Sequence, residues 1–562
     1  MTVPEIYGRR LIPQIADSLA SLEPHRIIYS VANSSNISDG FQHVSARAFA
    51  KAVDKTAWWL HSQVGKCSVV QTAAYIGPHD LRHILLTYAC VKVGCTALFL
   101  SPKNSIEGAL AVLEAAKCNV WVNPCGYSCP LLDDILQKRS MKVLHLPEVD
   151  ELLDAETAEP YPYIKTFDEA SQDPFCVLHT SGSTGLPKPI AWSHGLIGTM
   201  DAVRLLPHVG DDVLSPWTDN WTDGDRGAGI IMNILLPSLF GLHCIMGPKG
   251  VIPSINLIES LADHAEIDIW SMVPSLVDEL GETPDILVKL KPSKFICASG
   301  GPVSPIIGSK VNDVVRVLNL TGTTEGLFMG NLWVESQDWF YFAFHPFSGF
   351  EFKEVEPGIY EHWVHRNDHW SLFQGIFHTF PDDKSINLKD LYTKHPTKPN
   401  LWAYKGRSDD IVVLSNGYKI SPLETEALVT AHPDIKGCLM IGSGRPQAGL
   451  LIELRDPTSK TNEVWDSIWA AIERANALLL HKDQVQRDYV AFAELDKPFV
   501  RTDKGTVKRR ATLEAYANYI ERFYSSRLDQ DIEVLTIDTS SVASITDAVR
   551  HILDTPRSNR AS

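Results

Sequence analysis

From Asp80 to Pro124 the sequence switches repeatedly between two hydrophobic periods. The stretch DLRHILLTYACVKVG, Asp80 to Gly94, has helical spacing and closes on a glycine, and CTALFL follows as a short apolar run ending at Ser101-Pro102. SIEGALAVLEAAKC is helical again and NVWVNP again reads as a strand. Strands alternating with helices build βαβ units around parallel sheet, so an α/β fold is expected. The chain has 562 residues, and a single core rarely grows past about 250–300, so at least two domains are expected.

Charge and composition exclude several classes. The 51 Lys and Arg against 68 Asp and Glu leave a net charge of -17, whereas a nucleic-acid surface wants a basic face. The N-terminus, MTVPEIYGRRLIPQIADSLA, lacks the unbroken apolar run of a signal peptide, and a cytoplasmic location without a membrane partner is expected. Gly229 to Gly247, GIIMNILLPSLFGLHCIMG, is interrupted by Asn233, Pro237, Ser238 and His243. It reads as a buried helix followed by a buried strand. The 10 cysteines form no C-x-x-C pair, so free and mostly buried thiols are expected.

Three stretches carry chemistry. In LHTSGSTGLPKPI, Leu178 to Ile190, Gly182 and Gly185 let the backbone approach an anion closely. Successive N–H groups there make an anion-binding concavity. Thr180, Ser181, Ser183 and Thr184 add hydroxyls and Lys188 a cation, after the strand-like PFCVLH. The Gly-Lys-Ser/Thr of a P-loop is missing, yet the combination is a phosphate cradle. In LNLTGTTEGLFMG, after the strand-like VVRVL, Glu325 is a lone carboxylate among small residues, best used beside a phosphate loop as a magnesium ligand. In YKGRSDDIVVLSNGYKISPLE, Arg407 offers a fork of donors to ribose or phosphate oxygens. A fourth stretch, FVRTDKGTVKRRATLEAY, is a basic, glycine-containing loop before a helix.

These stretches, in this order, resemble the adenylate-forming superfamily of acyl-CoA ligases, luciferases and adenylation domains of non-ribosomal peptide synthetases. TSGSTGLPK resembles T-S-G-S-T-G-x-P-K, NLTGTTE resembles N-x-Y-G-x-T-E, and GRSDD resembles G-R-x-D. YGRRLIPQIADSLA, FLSPKNSIEGAL and DKGTVKRRAT are similar to adenylation domains of fungal synthetase-like proteins, many of them carboxylate reductases. The resemblance implies the adenylate-forming fold: a large N-terminal domain of mixed sheets with helices over 1–406, and a small mobile α+β domain over 407–525. Residues 526–562 are then a linker or the start of a carrier region. The polar, proline-punctuated stretch from Asp382 to Asn400 is expected as a long surface connection, and ATLEAYANYIERFY as the last folded helix.

The implied reaction is ATP-dependent activation of a carboxylic acid to an acyl-adenylate, then transfer to the phosphopantetheine thiol of a carrier domain, with a reductase domain following. No carrier D-S-L motif and no nicotinamide-binding glycine loop is read after residue 525, so a standalone or excised adenylation unit is expected. Two other readings stay open: a freestanding acyl-CoA ligase, and a nucleotide-binding module without catalysis. Carried over position by position, Thr180, Ser181, Gly182, Ser183, Thr184, Gly185 and Lys188 hold the β- and γ-phosphates. Asn319, Leu320, Thr321, Gly322 and Thr323 line the nucleotide, Thr324 meets the α-phosphate, and Glu325 holds Mg2+. Asp390 and Arg407 bind the ribose with Tyr404, Lys405 and Gly406 alongside. Asp409 is the hinge, Gly417 meets the pantetheine arm, and Lys504 reaches the reacting carboxylate, with Lys508 as runner-up.

The acid pocket is implied to draw on Trp217, Asn220, Trp221, Val273, Pro274, Ser299, Gly300, Gly301, Gly326 and Met329. Its aromatic and small residues suit a flat, apolar acid, with aryl acids foremost. The sequence departs from the family where Thr321 replaces an adenine-stacking aromatic and Thr506 replaces the lysine after Gly505. No histidine stands near Asn220-Trp221, where many relatives carry one.

Overall fold

The structure, a computed structural model, describes residues 6–65, 71–181, 186–210, 226–228, 233–328, 330–416, 418–458, 461–477, 484–501 and 505–531. The chain divides into two compact units, Met1–Ile411 with Arg501–Thr506, and Val412–Val500 with Val507–Ser562.

The first unit contains two large sheets. The six-stranded one runs Lys142–Leu146, Val120–Pro124, Gln71–Tyr75, Cys95–Phe99, Pro174–Ser181, Pro187–Ser193. Every neighbouring pair is parallel except the last, an antiparallel hairpin. The alternation after Asp80 is realised as expected. Asp80 accepts from the Arg82 N–H at 2.9 Å to open helix Leu81–Val93, and Gly94, at φ 89°, closes it in the left-handed conformation. Strand Cys95–Phe99, helix Ile106–Ala115 and strand Val120–Pro124 follow. Lys92, on the buried helix, is held by Asp17 at 2.8 Å and Asp54 at 2.7 Å, so its charge is matched inside the core.

The seven-stranded sheet runs Arg316–Leu320, Phe295–Ser299, Ile269–Met272, Arg226–Ala228, His243–Met246, Ile27–Ala32, Phe41–Ser45. It is parallel up to the antiparallel edge formed by Phe41–Ser45. Within Gly229 to Gly247, expected as a buried helix and a buried strand, lie helix Leu235–Leu239 and strand His243–Met246. No described helix is long and apolar enough to cross a membrane. None of the nine described cysteines is in a disulfide, and eight of them are buried.

One expectation is corrected. Ser385–Lys394, inside the supposed surface connection, is a strand paired on both sides within the four-stranded sheet Phe350–Glu356, Ile359–His365, Ser385–Lys394, Trp402–Arg407. A register shift between Leu391 and Tyr392 and a φ of 62° at Lys389 break the two-residue alternation, so Leu388, Leu391 and Tyr392 all turn inward. That bulge hid the strand.

The second unit packs helices Leu423–Thr430 and Asn462–Asn476 with a three-stranded sheet of Ile435–Ile441, Gly449–Leu454 and Val490–Phe492. The expected terminal helix is two, Arg509–Ala515 and Ala517–Asp531. The break falls at Tyr516, which is fully buried and whose hydroxyl meets the Lys497 carbonyl and the Glu494 N–H. Residues 532–562 lie outside the described residues.

Candidate active site

The phosphate-loop candidate sits on the hairpin of Pro174–Ser181 and Pro187–Ser193, with Thr180 paired opposite Lys188 and Ser181 opposite Pro187. Gly182, Ser183, Thr184 and Gly185 lie outside the described residues. Lys188 is exposed, and no described carboxylate pairs with it, which leaves its charge available to an anion. The root of the loop is fastened by a residue the sequence reading missed. His179 Nε2 accepts the Ser101 N–H at 3.1 Å and lies 3.2 Å from Asn104 Nδ2. The ring therefore carries its proton on Nδ1 when neutral.

The acidic turn forms at the carboxyl end of strand Arg316–Leu320, in a short hairpin of Gly322–Thr323 with Leu327–Phe328. Leu320 is buried in the core, and Asn319 donates its amide to the Trp339 carbonyl at 2.9 Å. The Thr321 N–H donates to Asn331 Oδ1 at 3.4 Å. Thr323 Oγ1 is buried with no hydrogen-bond partner among the described residues. Glu325 is half-buried, and no described cation pairs with it. Two more residues the sequence reading missed grip this turn: Trp192 Nε1–H donates to the Thr324 carbonyl at 2.7 Å, and Thr379 Oγ1–H to the Glu325 carbonyl at 2.6 Å.

The pocket candidates converge in part. Val273-Pro274, Ser299 to Gly301 and the acidic turn leave the carboxyl ends of three adjacent parallel strands, Ile269–Met272, Phe295–Ser299 and Arg316–Leu320. Ligands of open α/β sheets bind at such ends. A Cβ on Gly301 would lie 3.7 Å from Pro274. The 299–304 loop is held by Asp278, which accepts the Ser304 N–H at 3.1 Å and whose carboxyl is lifted to about 6 by burial. Gly326 lines a small pocket with Phe350, Phe373, Gly375 and Ile376. Trp217, Asn220, Trp221 and Met329 lie outside the described residues.

The ribose and hinge candidates meet around one strand pair. Asp390 pairs in register with Arg407, whose Nη1 is 3.4 Å from its carboxylate, while Arg407 Nε reaches Asp409 at 2.9 Å. Burial lifts the Asp390 carboxyl to about 6 against the pull of Arg407. Burial also opposes ionisation of Asp409, but the Arg407 hydrogen bond overrides it and its pKa falls. Tyr404 and Gly406 stand opposite Tyr392 and Leu391, with Lys405 between them. In the second unit, the Lys508 N–H donates to the Val500 carbonyl at 2.7 Å, and the residue opens helix Arg509–Ala515. Lys504 and Gly417 lie outside the described residues.

The turn fits a hard divalent cation: among the described residues, the Glu325 carboxylate has no cation beside it and stands two residues from the buried Thr323 hydroxyl, which has no hydrogen-bond partner. Oxygen donors of this kind suit magnesium, and a buried orphan hydroxyl is uncommon unless something else uses it.

Residues 22–345 match the AMP-binding enzyme family, and residues 409–528 match the AMP-binding enzyme C-terminal domain. The chain is 66% identical to the isocyanide synthase-NRPS hybrid crmA of Aspergillus fumigatus over 97% of its own length and 36% of that protein. It is 31% identical to a carboxylic acid reductase of Neurospora crassa, over 98% of its length and 54% of the relative. It thus spans between about a third and a half of these relatives. Among solved structures, ATP-bound MatB from Rhodopseudomonas palustris aligns with a TM-score of 0.68 at 17% identity, covering 92% of this chain and 100% of that one, so the two share a fold. The two matches together cover most of the chain, and it belongs to the AMP-binding enzyme family as an adenylate-forming ligase.

Proposed function

We propose that this chain activates a small carboxylic acid with ATP and passes the acyl group to the phosphopantetheine thiol of a carrier domain, ahead of reduction by a further domain. The observation that carries this reading is the Trp192 bond to the Thr324 carbonyl, which joins the phosphate-loop hairpin to the acidic turn in one site. A carboxylate is already ionised near neutral pH, so attack on the α-phosphorus needs no general base. A carboxylate oxygen bonds to that phosphorus, the bridging oxygen to the β-phosphorus leaves with pyrophosphate, and the acyl-adenylate remains. The obstacle is charge repulsion, and positioned donors answer it. Lys188 with the loop from Thr180 to Gly185 takes the β- and γ-phosphates. Thr324 meets the α-phosphate, and Asp390 and Arg407 take the ribose. Glu325 would hold Mg2+, which supplies charge neutralisation on the phosphates. Lys504 reaches the reacting carboxylate.

Relatives named carboxylic acid reductase and adenylate-forming reductase support the carrier and reductase as partners. The relative at 66% identity is named as an isocyanide synthase-NRPS hybrid, which favours testing nitrogen-bearing acids beside aryl ones. The test is exchange of labelled pyrophosphate into ATP across aryl, fatty, amino and isocyanide-bearing acids. Exchange dependent on one class of acid is expected, and silence across the panel with ATP binding intact would overturn the reading. The same assay on Lys504→Ala and Lys508→Ala decides between the lysines, with Lys504→Ala expected to abolish exchange. Coenzyme A offered against a pantetheinylated carrier separates the two acceptors.

A further inference from the structure

We infer that Trp192 and Thr379 are positioning residues for the acidic turn, setting the direction in which Glu325 and Thr324 present their side chains. The inference rests on the reading that Glu325 holds the metal of the nucleotide.

The geometry is specific to one residue. The peptide plane before the Glu325 Cα carries the Thr324 carbonyl, and the plane after it carries the Glu325 carbonyl. Trp192 holds the first from the phosphate-loop hairpin, and Thr379 holds the second from the short helix Ile376–Thr379. With both flanking planes pinned, the Glu325 Cα–Cβ direction has little freedom left.

The turn needs this help. Its backbone closes on itself through the Gly326 N–H to the Thr323 carbonyl at a long 3.3 Å. The next residue, Leu327, is buried at φ 57°, a left-handed conformation that L side chains rarely adopt. Strain of this kind persists where the surroundings over-determine the backbone. The segment carrying Thr379 also presses on the turn: a Cβ on Gly375 would lie 2.6 Å from the Gly326 carbonyl oxygen, and one on Gly326 would lie 3.1 Å from Ile376 Cβ. Trp192 in addition ties Thr324, the residue assigned to the α-phosphate, to the strand that leads from Lys188, so the two phosphate-handling parts keep a fixed spacing.

The test is calorimetric binding of α,β-methylene-ATP, without acid, over a magnesium series, with melting temperature recorded for each protein. Trp192→Phe and Thr379→Val are each expected to reduce the magnesium-dependent gain in affinity about tenfold, the worth of one buried hydrogen bond. Thr379→Val should leave metal-free affinity unchanged, Trp192→Phe should also weaken it through Thr324, and Thr379→Ser should restore the gain. If one variant fails to fold, the other decides. Glu325→Gln runs in parallel and should lose the gain. Should it keep the gain, the metal role of Glu325 fails and the inference falls with it. Should it lose the gain while Trp192→Phe and Thr379→Val keep theirs, only the positioning inference is overturned.

Discussion

Glu325→Gln is expected to lower acid-dependent pyrophosphate exchange by about 10²–10³-fold, the loss usual when one preorganised electrostatic partner of a developing charge is removed. The amide keeps the size and the planar shape of the carboxylate, so the hairpin should fold unchanged. No described ion pair depends on Glu325, and the structure uses its carbonyl, not its carboxylate, to anchor the turn. The variant should therefore melt within the error of the wild type while activity collapses. The loss should be largest at low magnesium and shrink as magnesium rises, because the neutral side chain weakens metal capture without closing the site. Activity that stays at the wild-type level throughout a magnesium titration would remove Glu325 from the catalytic account.

The second large effect is on stability. His362 is 1% exposed, with neither ring nitrogen hydrogen-bonded among the described residues. It stacks on Phe352 at 4.8 Å and on Phe344 at 5.7 Å, and meets Phe350 and Tyr392 edge-on. Burial in this aromatic nest pushes its pKa down from 6.5 to about 3. A depressed folded pKa gives a contribution fully present above the unfolded value near 6.5 and lost as pH falls towards 3. Between pH 8 and pH 5 the wild type should thus lose about 2 kcal/mol through this residue alone. His194, lowered to about 4 by burial, acts in the same sense, while Asp278 and Asp390, lifted to about 6, act in the opposite one. The effect is therefore read as a difference from His362→Phe. That variant should equal or exceed wild-type stability at pH 8, because two buried nitrogens without partners disappear. Its advantage should grow by about 2 kcal/mol at pH 5 in urea unfolding. A pH-independent difference would mean that the ring is hydrated in solution.

The candidate site is legible in sequence where its chemistry is concentrated. Leu178 to Ile190 packs hydroxyls, glycines and a lysine into one run, and the run lies on a hairpin of the parallel sheet. Glu325 stands out as a candidate because it is a lone carboxylate after a buried strand. What escaped were single hydrogen-bonding side chains acting across long separations. His179 meets Ser101 from 78 residues away, Trp192 meets Thr324 from 132, and Thr379 meets Glu325 from 54. One indole or one hydroxyl leaves no local period, and only the fold brings it to its acceptor. The strand Ser385–Lys394 escaped for a different reason: its bulge at Leu391-Tyr392 cancels the alternation by which strands are recognised. Asp390 was therefore expected on a loop, whereas the structure sets it on a sheet, opposite Arg407.

The proposed reaction is attack of a carboxylate on the α-phosphorus of ATP at this site. The most direct test supplies an accepted acid labelled with ¹⁸O in both carboxyl oxygens, with ATP and magnesium, and follows the label by mass spectrometry of the nucleotide after the adenylate has been discharged. Attack at the α-phosphorus places one labelled oxygen in AMP, because the bridging oxygen stays with phosphorus when the acyl carbon is released to a thiol or to water. Label appearing in inorganic phosphate, with ADP as the nucleotide product, would place the attack on the γ-phosphorus and contradict the account.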